Sequence, residues 1–474
     1  MSLSTAAWLD SELLTLDLGD ERRDRRFQLM VERACDQPTA SILQASADWA
    51  EARAAYRLLS NAALEPDLVR NAMAQACGRR AGEELATDPG RGAPGLLLVV
   101  QDTTELDYSR HPATAGLGPT GGGDGSAGHG RFVHSALAVS AAGLPLGLLH
   151  QQTWARDPEE VGSRHARKQR PIAEKESYRW LQTVAAVEQA VPAEIPLLHL
   201  ADREGDIFEL FALPRRAGSH LLIRAAQDRC VDDPQRHLFA AAAVAPVVGS
   251  FELLVRRAHG HPARPARLEV RVAPLTLCPP ASGCHAPGLE PVELNLIWLY
   301  EPDPPANEKP VQWLLLTDLP VSGLDQARTV AGYYALRWLI ERYHYTLKSG
   351  CRLQEAQLRE AERIERLLVI YCLVAWRLLW LTYAARLDPE QPCTVAFCTV
   401  EWQTLWRYFQ GATPFPPAPP PLHQAVRWVA LLGGFPGRKG DGEPGVKVLW
   451  RGLTRLQDIV TGVLLVTSQD VCKG

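Results

Sequence analysis

Two short apolar runs constrain the fold of this chain more than any other feature. Residues 96–100 read Leu-Leu-Leu-Val-Val, and residues 196–201 read Pro-Leu-Leu-His-Leu-Ala. Both runs have the length of a buried strand. The first leads to Asp102 and the second to Asp202, so each predicted strand ends at an acidic side chain. A helical pattern over residues 174–191 lies between them, which indicates a mixed α/β fold.

The rest of the chain changes character twice. Up to about residue 71, apolar residues recur near the helical period, which predicts a small helical module that includes a helix over residues 13–18. Short apolar runs with proline-rich connections predict strands between residues 220 and 317. Helices are then predicted over residues 325–348 and 360–386, and the proline-rich run at 414–421 indicates a linker before a helical tail.

Composition fits a folded protein of several domains. The chain has 474 residues, far above the roughly 100–150 of one domain. Hydrophobic residues make up 46% and charged residues 22%, as in average soluble proteins. The net charge of −4 gives no support for nucleic-acid binding by the chain as a whole, and arginines near the N-terminus are mixed with acids, as on an ordinary solvated face.

The sequence also indicates a compartment. The N-terminus lacks a basic start followed by an apolar run, and the most apolar stretch, residues 367–381, is interrupted by Arg377. The 10 cysteines form no CxxC pair, which favours reduced thiols. Cys278, Cys284 and His285 lie close together but among loop residues, so a zinc site is not favoured. We expect a cytoplasmic protein that does not associate with membranes.

The acids at the two strand ends, together with Glu341 in the predicted helix, suggest a metal site. Cleavage and joining of phosphodiester bonds uses two divalent ions about 3.5–4 Å apart, which activate the attacking oxygen and stabilise the leaving oxygen. Mg²⁺ prefers carboxylate ligands and keeps several waters. Asp102, Asp202 and Glu341 would therefore suffice if the fold brings them together.

The predicted helix over residues 325–348 carries a polar face. At 100° per residue, Tyr334, Arg337, Glu341 and Lys348 fall within an arc of about 60°. A solvated stripe gives the same pattern. Cations that flank a carboxylate also suit a phosphate backbone bound at a metal site.

This spacing, Tyr-(2)-Arg-(3)-Glu-(6)-Lys, matches the signature of the insertion-sequence-four family of bacterial DDE transposases, and the chain resembles the transposon-five branch of that family. Further segments look similar in the same order along the chain: LGDERRDRRF at 18–27, AYRLLSN at 55–61, QDTTELDYSRH at 101–111, VHSALAV at 133–139, GLLHQ at 147–151, HLADREGDI at 199–207, WLLLT at 313–317 and LGGF at 432–435.

The resemblance implies a ribonuclease-H-like mixed sheet flanked by helices. It implies an N-terminal helical DNA-binding module at 1–72, a catalytic domain at 73–385 with a β-rich insertion at about 225–320, and a C-terminal helical dimerisation region at 386–474. Asp102, Asp202 and Glu341 would bind two Mg²⁺ ions, with Mn²⁺ as a possible substitute.

The resemblance also implies how DNA is held. Tyr334, Arg337 and Lys348 would bind phosphates near the cleavage point, and Trp313 would stack on a base flipped out of the duplex. Helical-module arginines would contact the double-stranded transposon end; they are Arg22, Arg26 and Arg57. Where relatives carry lysine and tyrosine, this chain has Asp36 and Gln37, so the recognised end sequence stays open.

The implied activity is cut-and-paste transposition. Water attacks at the transposon end, the freed 3′-hydroxyl attacks the opposite strand to give a hairpin, and the reopened end is joined to target DNA. A homodimer would pair two ends in a synaptic complex through helices after about residue 385, including residues 446–465.

Each site residue also has a structural interpretation. Aspartate suits the turn after a strand, Glu341 could simply pair with Arg337 or Lys348, and tryptophan in a strand is usually core. His134, His150 and His344 are interpreted as structural or supporting, because hard cations favour oxygen ligands.

Two other functions stay open: a catalytically decayed DNA-binding relative, and a ribonuclease-H-like structure-selective nuclease that does not join strands.

Overall fold

The computed structural model describes residues 3–87, 95–121, 127–160, 170–255, 263–280 and 288–471. The chain forms two compact units. The first unit comprises Met1–Glu83, Thr103–Glu159 and Leu339–Gly474, and the second comprises Glu84–Asp102 and Glu160–Trp338.

Helices open the first unit, as the apolar periodicity predicts. Asp20 caps α2 by accepting a hydrogen bond from Arg22 N at 2.8 Å, and Asp48 caps α4 through Glu51 N at 2.7 Å. The helix predicted over residues 13–18 is wrong, because the first helix ends at Glu12 and a turn follows it. The helices are α1 (Leu3–Glu12), α2 (Glu21–Asp36), α3 (Ile42–Ala45), α4 (Trp49–Leu59) and α5 (Pro66–Thr87).

A β-meander follows in the same unit. The strand β1 (Leu97–Asp107) passes from the second unit into the first, where its neighbour is β3 (Ala127–Val139). On the far side, β3 pairs antiparallel with β2 (Gly118–Gly121) and with β4 (Pro145–Trp154). Gly143, with φ +96°, closes the turn between β3 and β4, in the left-handed region that glycine favours.

The second unit holds a mixed sheet in the order β1-β5-β6-β10-β9-β8-β7. Its first three strands are parallel and the others pair antiparallel. The strands after β1 are β5 (Leu197–Ala201), β6 (Ser219–Arg224), β7 (Val247–Val255), β8 (Arg264–Leu277), β9 (Val292–Tyr300) and β10 (Gln312–Thr317). The strands predicted between residues 220 and 317 are confirmed.

The described residues of the second unit include four helices, and Trp180, Phe208 and Phe211 from two of them fill its core against the sheet. The helix at 238–244 was not predicted, although its alanine run is a strong helix former. The helices are α6 (Tyr178–Ala190), α7 (Phe208–Phe211), α8 (Leu238–Val244) and α9 (Leu324–Leu336).

The C-terminal helices complete the first unit. The longest, α11, is apolar and long enough to span a membrane, but 83% of its most apolar window is buried inside the protein, as in a core helix. The proline-rich run at 414–421 joins two of the others, as predicted. The helices are α10 (Trp338–Tyr345), α11 (Ala361–Leu387), α12 (Thr399–Gln410), α13 (Leu422–Leu432) and α14 (Val446–Val471).

The single helix predicted over residues 325–348 is wrong in one respect. The segment forms two helices, α9 and α10, and Arg337 N bonds to Tyr334 O at 3.0 Å in a tighter turn between them. A π-helical turn, Thr346–Gly350, then carries Lys348. The wider π turn changes the rotation per residue, so the spacing of 100° per residue behind the predicted arc does not hold as far as Lys348.

Candidate active site

Strand register makes Asp102 and Asp202 neighbours in the second unit. The parallel strands β1 and β5 pair Val100 with Leu200, and each aspartate follows two residues later. Adjacent strands lie about 4.8 Å apart and side chains alternate between faces, so the two carboxylates project from the same face of the sheet. Both side chains are half-buried, as suits groups that must meet solvent or substrate.

The turn-capping interpretation of Asp202 is correct for one of its oxygens. Its Oδ1 accepts a hydrogen bond from Glu204 N at 2.8 Å and begins the turn Arg203–Gly205. A carboxylate offers about four lone-pair sites, so this cap leaves capacity for a cation. The two roles are compatible.

The turn after Asp202 is fixed by packing and hydrogen bonds. A Cβ added at Gly205 would lie 2.4 Å from Ala201 Cβ, so the backbone approach requires glycine. Asp206 is buried and its Oδ2 accepts hydrogen bonds from Ala226 N at 2.7 Å and Gln227 N at 2.8 Å. The turn is thereby tied to the segment that follows β6.

A buried polar pair lies on the opposite face of the same strands. Gln101 Nε2 and His199 Nδ1 are 3.3 Å apart, and both residues are at most 2% exposed. Burial lowers the pKa of His199 to about 3, and Arg215 and Arg216 add to the shift, so the imidazole is neutral. This contact links β1 to β5 one residue before Asp102. Sequence reasoning missed it, although a histidine in an apolar strand implies a buried partner.

Tyr334 lies in the second unit beside Trp313 and three arginines. We call this set the cationic cluster; its other members are Trp313, Arg203, Arg224 and Arg337. The phenol is 4% exposed, and the edge of its ring packs on Trp313 at 5.4 Å. Burial raises the pKa of Tyr334, while Arg337 and Arg224 oppose the rise and Asp202 adds to it. Tyr334 therefore lies within electrostatic reach of Asp202.

Arg224 is a member of this cluster that sequence reasoning missed, as it missed Arg203. It ends β6 and donates to Gln312 O at 2.8 Å. Burial lowers its pKa, the Tyr334 phenol opposes that change, and Arg203 and Arg337 lower it further as like charges. Arg203, Arg224 and Arg337 lie close enough to affect one another as like charges, and this concentration of positive charge suits a phosphate. The position of Arg224 at the end of the strand after β5 was the available signal.

Glu341 and Lys348 belong to the first unit. Glu341 is half-buried on α10, and Lys348 is half-buried in the π-helical turn. His344 between them is buried; burial lowers its pKa to about 3, and Lys348 adds to the shift. In the same unit, Thr103 Oγ1 lies 2.9 Å from His134 Nδ1. Burial also lowers the pKa of His150.

The predicted DNA-binding arginines lie on α2 and α4. The Arg22 side chain is 92% exposed and Arg57 is exposed, whereas Arg26 is half-buried beside Ala55 and Tyr371 in a small cavity. Arg22 and Arg57 are therefore accessible to a long polyanion.

Asp36 is half-buried at the C-terminal end of α2. It lines a cavity with Arg377 and Glu401. Burial raises its pKa to about 7, and the Glu401 carboxylate adds to the rise.

Three protein-family models match the chain. Transposase DNA-binding covers residues 5–64, the transposase DDE domain covers residues 306–377, and the transposase Tn5 dimerisation domain covers residues 373–471. The DDE match includes Glu341 and the cluster residues Trp313, Tyr334 and Arg337.

These matches settle the class of protein. The DDE domain implies a ribonuclease-H-like fold, which agrees with the mixed sheet and confirms the predicted fold class. It indicates an enzyme that cleaves DNA and transfers strands, and it implies use of a divalent metal ion. The other two domains indicate DNA as a partner and a homodimer. The chain belongs to the DDE transposases of the transposon-five type.

Proposed function

We propose that this transposase performs cut-and-paste transposition with Asp102, Asp202 and Glu341 as its metal-binding carboxylates. The observation that carries the proposal is the β1–β5 register, which makes the two aspartates neighbours on one face. Glu341 joins the proposal through the transposase signature and the DDE match that includes it.

The donor set fits Mg²⁺. All three side chains are carboxylates, and hard cations take oxygen ligands while keeping some water. We propose two Mg²⁺ ions, with Mn²⁺ as a substitute; when bound, they would activate the attacking oxygen and stabilise the leaving oxygen. The neutral His199 on the far face holds the strands without adding positive charge next to the cations.

The cationic cluster would hold the DNA backbone for this chemistry. Arg224 and Arg337 would each donate charge-assisted hydrogen bonds to a phosphate, and the Tyr334 hydroxyl would donate a further one. Trp313 is half-buried against Tyr334, so its remaining surface could receive an unstacked base. Lys348 would contact a further phosphate.

The overall reaction proceeds in three stages. Water attacks the phosphodiester bond at the transposon end and frees a 3′-hydroxyl. That hydroxyl attacks the opposite strand to close a hairpin, which water reopens. The 3′-hydroxyl then attacks target DNA and displaces one target strand end.

We assign recognition of the transposon end to the N-terminal region and dimerisation to the C-terminal region. We propose that residues 1–72 bind the transposon end through Arg22, Arg26 and Arg57, that residues 73–385 with an insertion at about 225–320 are catalytic, and that residues 386–474 dimerise. Two copies would then pair two ends in a synaptic complex, in the cytoplasm where bacterial DNA lies.

The test is cleavage of duplex DNA that carries the element's own terminal repeats, in Mg²⁺. Asp102→Asn, Asp202→Asn and Glu341→Gln should retain end binding in gel shifts and lose cleavage. Asp325→Asn, on an exposed acid of α9, is the matched control and should cleave normally. Normal cleavage by Glu341→Gln would overturn its assignment.

The same assay separates the other functions. Binding without cleavage by the wild-type protein would indicate a decayed relative, and cleavage without joined product would indicate a nuclease. An independent readout replaces Mg²⁺ by Fe²⁺ with ascorbate and peroxide, which cuts backbone close to a bound ion. Cuts near residues 102, 202 and 341 are expected, and they should disappear in the variants.

A further inference from the structure

Two cysteines of the second unit face each other across paired backbone segments. Val231 and Leu277 form an antiparallel bridge. On one side of it Cys278 N donates to Cys230 O at 3.0 Å, and on the other Asp232 N donates to Thr276 O at 2.9 Å. This pattern makes Cys230 and Cys278 direct cross-strand neighbours.

The spacing of such neighbours suits a disulfide. Opposed residues at a hydrogen-bonded position of an antiparallel pair have Cα atoms about 5.5 Å apart. Disulfides need Cα atoms roughly 4.4–6.8 Å apart, so a bond could form with little backbone movement. The two thiols are reduced, and the Cys230 side chain is close enough to raise the pKa of Cys278, to which burial contributes most.

The pair is also reachable from solvent. Cys230 is exposed and Cys278 is half-buried, and both line a cavity of about 380 Å³ together with Lys175 and Arg229. Five other described cysteines are buried and so lack this access: Cys35, Cys77, Cys351, Cys372 and Cys393. Access and pairing coincide at Cys230 and Cys278.

A metal site explains the pair less well. Closed zinc sites need four ligands, usually cysteine or histidine. Among the described residues, Cys230 and Cys278 belong to no group of three or more histidine, cysteine, aspartate or glutamate side chains that could hold a metal ion. Two thiols alone suit a covalent bond between them.

We propose that Cys230 and Cys278 are an oxidative modification site, at which a peroxide converts the two thiols to an intramolecular disulfide. The exposed Cys230 sulfur attacks the peroxide O–O bond, becomes a sulfenic acid and releases one water. The Cys278 sulfur then attacks the Cys230 sulfur, forms the S–S bond and releases a second water. The sulfurs lose two electrons in total, and one hydrogen peroxide accepts them.

The order in which the two cysteines react follows from their different exposure to solvent. Thiolates react and thiols do not, and burial raises the pKa of Cys278, with Cys230 and Asp232 adding to the rise. Cys278 therefore serves better as the second, resolving thiol than as the group that meets peroxide.

The experiment exposes the full-length protein to hydrogen peroxide, blocks remaining thiols with N-ethylmaleimide, and analyses a non-reducing digest by mass spectrometry. A linked pair of peptides containing Cys230 and Cys278 is expected, lighter than the two separate peptides by two hydrogen atoms. Dithiothreitol should convert it to two alkylatable thiols.

Variants make the result specific. Cys230→Ser should leave Cys278 labelled by maleimide after peroxide, whereas Cys398→Ser, at a half-buried cysteine of another region, should leave the link unchanged. Full labelling of both cysteines after peroxide would overturn the proposal. So would separate over-oxidation of each sulfur, or disulfides of either cysteine with other partners.

Discussion

The two segments that carry the proposed metal-binding carboxylates differ in how they are built. Asp102 and Asp202 follow strands whose register is fixed by backbone pairing, with Val100 opposite Leu200. The segment that carries Arg337 and Glu341 is helical but is interrupted at Arg337 and again by a π-helical turn. Strand register fixes the spacing between Asp102 and Asp202. In the interrupted helices, by contrast, the direction of each side chain depends on the backbone geometry of its own turn.

The largest expected effect tests whether the two aspartates act as one group. Asp102→Asn and Asp202→Asn should each lower the cleavage rate by at least about 10³-fold, and the double variant should be no slower than either, because residues that act as a unit are not additive. Single-turnover cleavage of end DNA measures this. Losses that multiply in the double variant would show that the aspartates act independently.

The next largest effect concerns the buried polar pair of Gln101 and His199, on the face of β1 and β5 opposite the two aspartates. His199→Ala removes one polar partner of buried Gln101 and leaves a cavity, so it should lower the free energy of unfolding by about 2–4 kcal/mol. Urea denaturation measures the change. The double variant Gln101→Leu/His199→Leu removes both polar groups and should recover much of the loss. If the double variant is less stable than His199→Ala, the pair is not the source of the effect.

This pair shows where sequence reasoning stops. Both strands and their terminal acids follow from local apolar runs, so they could be predicted. The Gln101–His199 contact depends on the register between strands about 100 residues apart, which no local pattern encodes. Arg224 reaches Tyr334 for the same reason.

The helix predictions that were wrong or missing have another cause. The period of residues 325–348 is continuous, so it cannot reveal the break at Arg337 or the wider turn at Lys348. The alanine-rich helix at 238–244 lay among strand patterns and proline-rich connections, and the wider context masked its local propensity.

Acid should destabilise both regions, because a buried neutral histidine lies in each: His199 in β5 and His344 in α10. The pKa of His199 and that of His344 are both lowered to about 3, mainly by burial. The unfolded chain binds these protons more readily, so stability is present above about pH 6.5 and is lost as the pH falls toward 3. Each histidine should cost up to about 2 kcal/mol at pH 5.

Unfolding by urea at pH 7.5 and pH 5 measures that loss. Gln101→Leu/His199→Leu should reduce the acid-induced loss, and His344→Gln should reduce it by a similar amount. A wild-type loss that neither substitution changes would assign acid sensitivity to other groups. A change in only one of the two variants would show that the regions differ in polar packing as well as in geometry.

The smallest effect tests how tightly the helical region is packed. Gly332 lies inside α9, and a Cβ added there meets no atom within 4 Å, so Gly332→Ala should raise the free energy of unfolding by about 0.5–1 kcal/mol through helix propensity. Gly350, in the π-helical turn, is the matched control. A Cβ there would lie 2.7 Å from Trp450 Cε3, so Gly350→Ala should destabilise. Changes of opposite sign in the melting temperature of the two variants would show that α9 has free space at Gly332, while packing holds the π-helical turn at Gly350. Equal signs would contradict that difference, because the same added methyl group would then meet the same resistance at both positions.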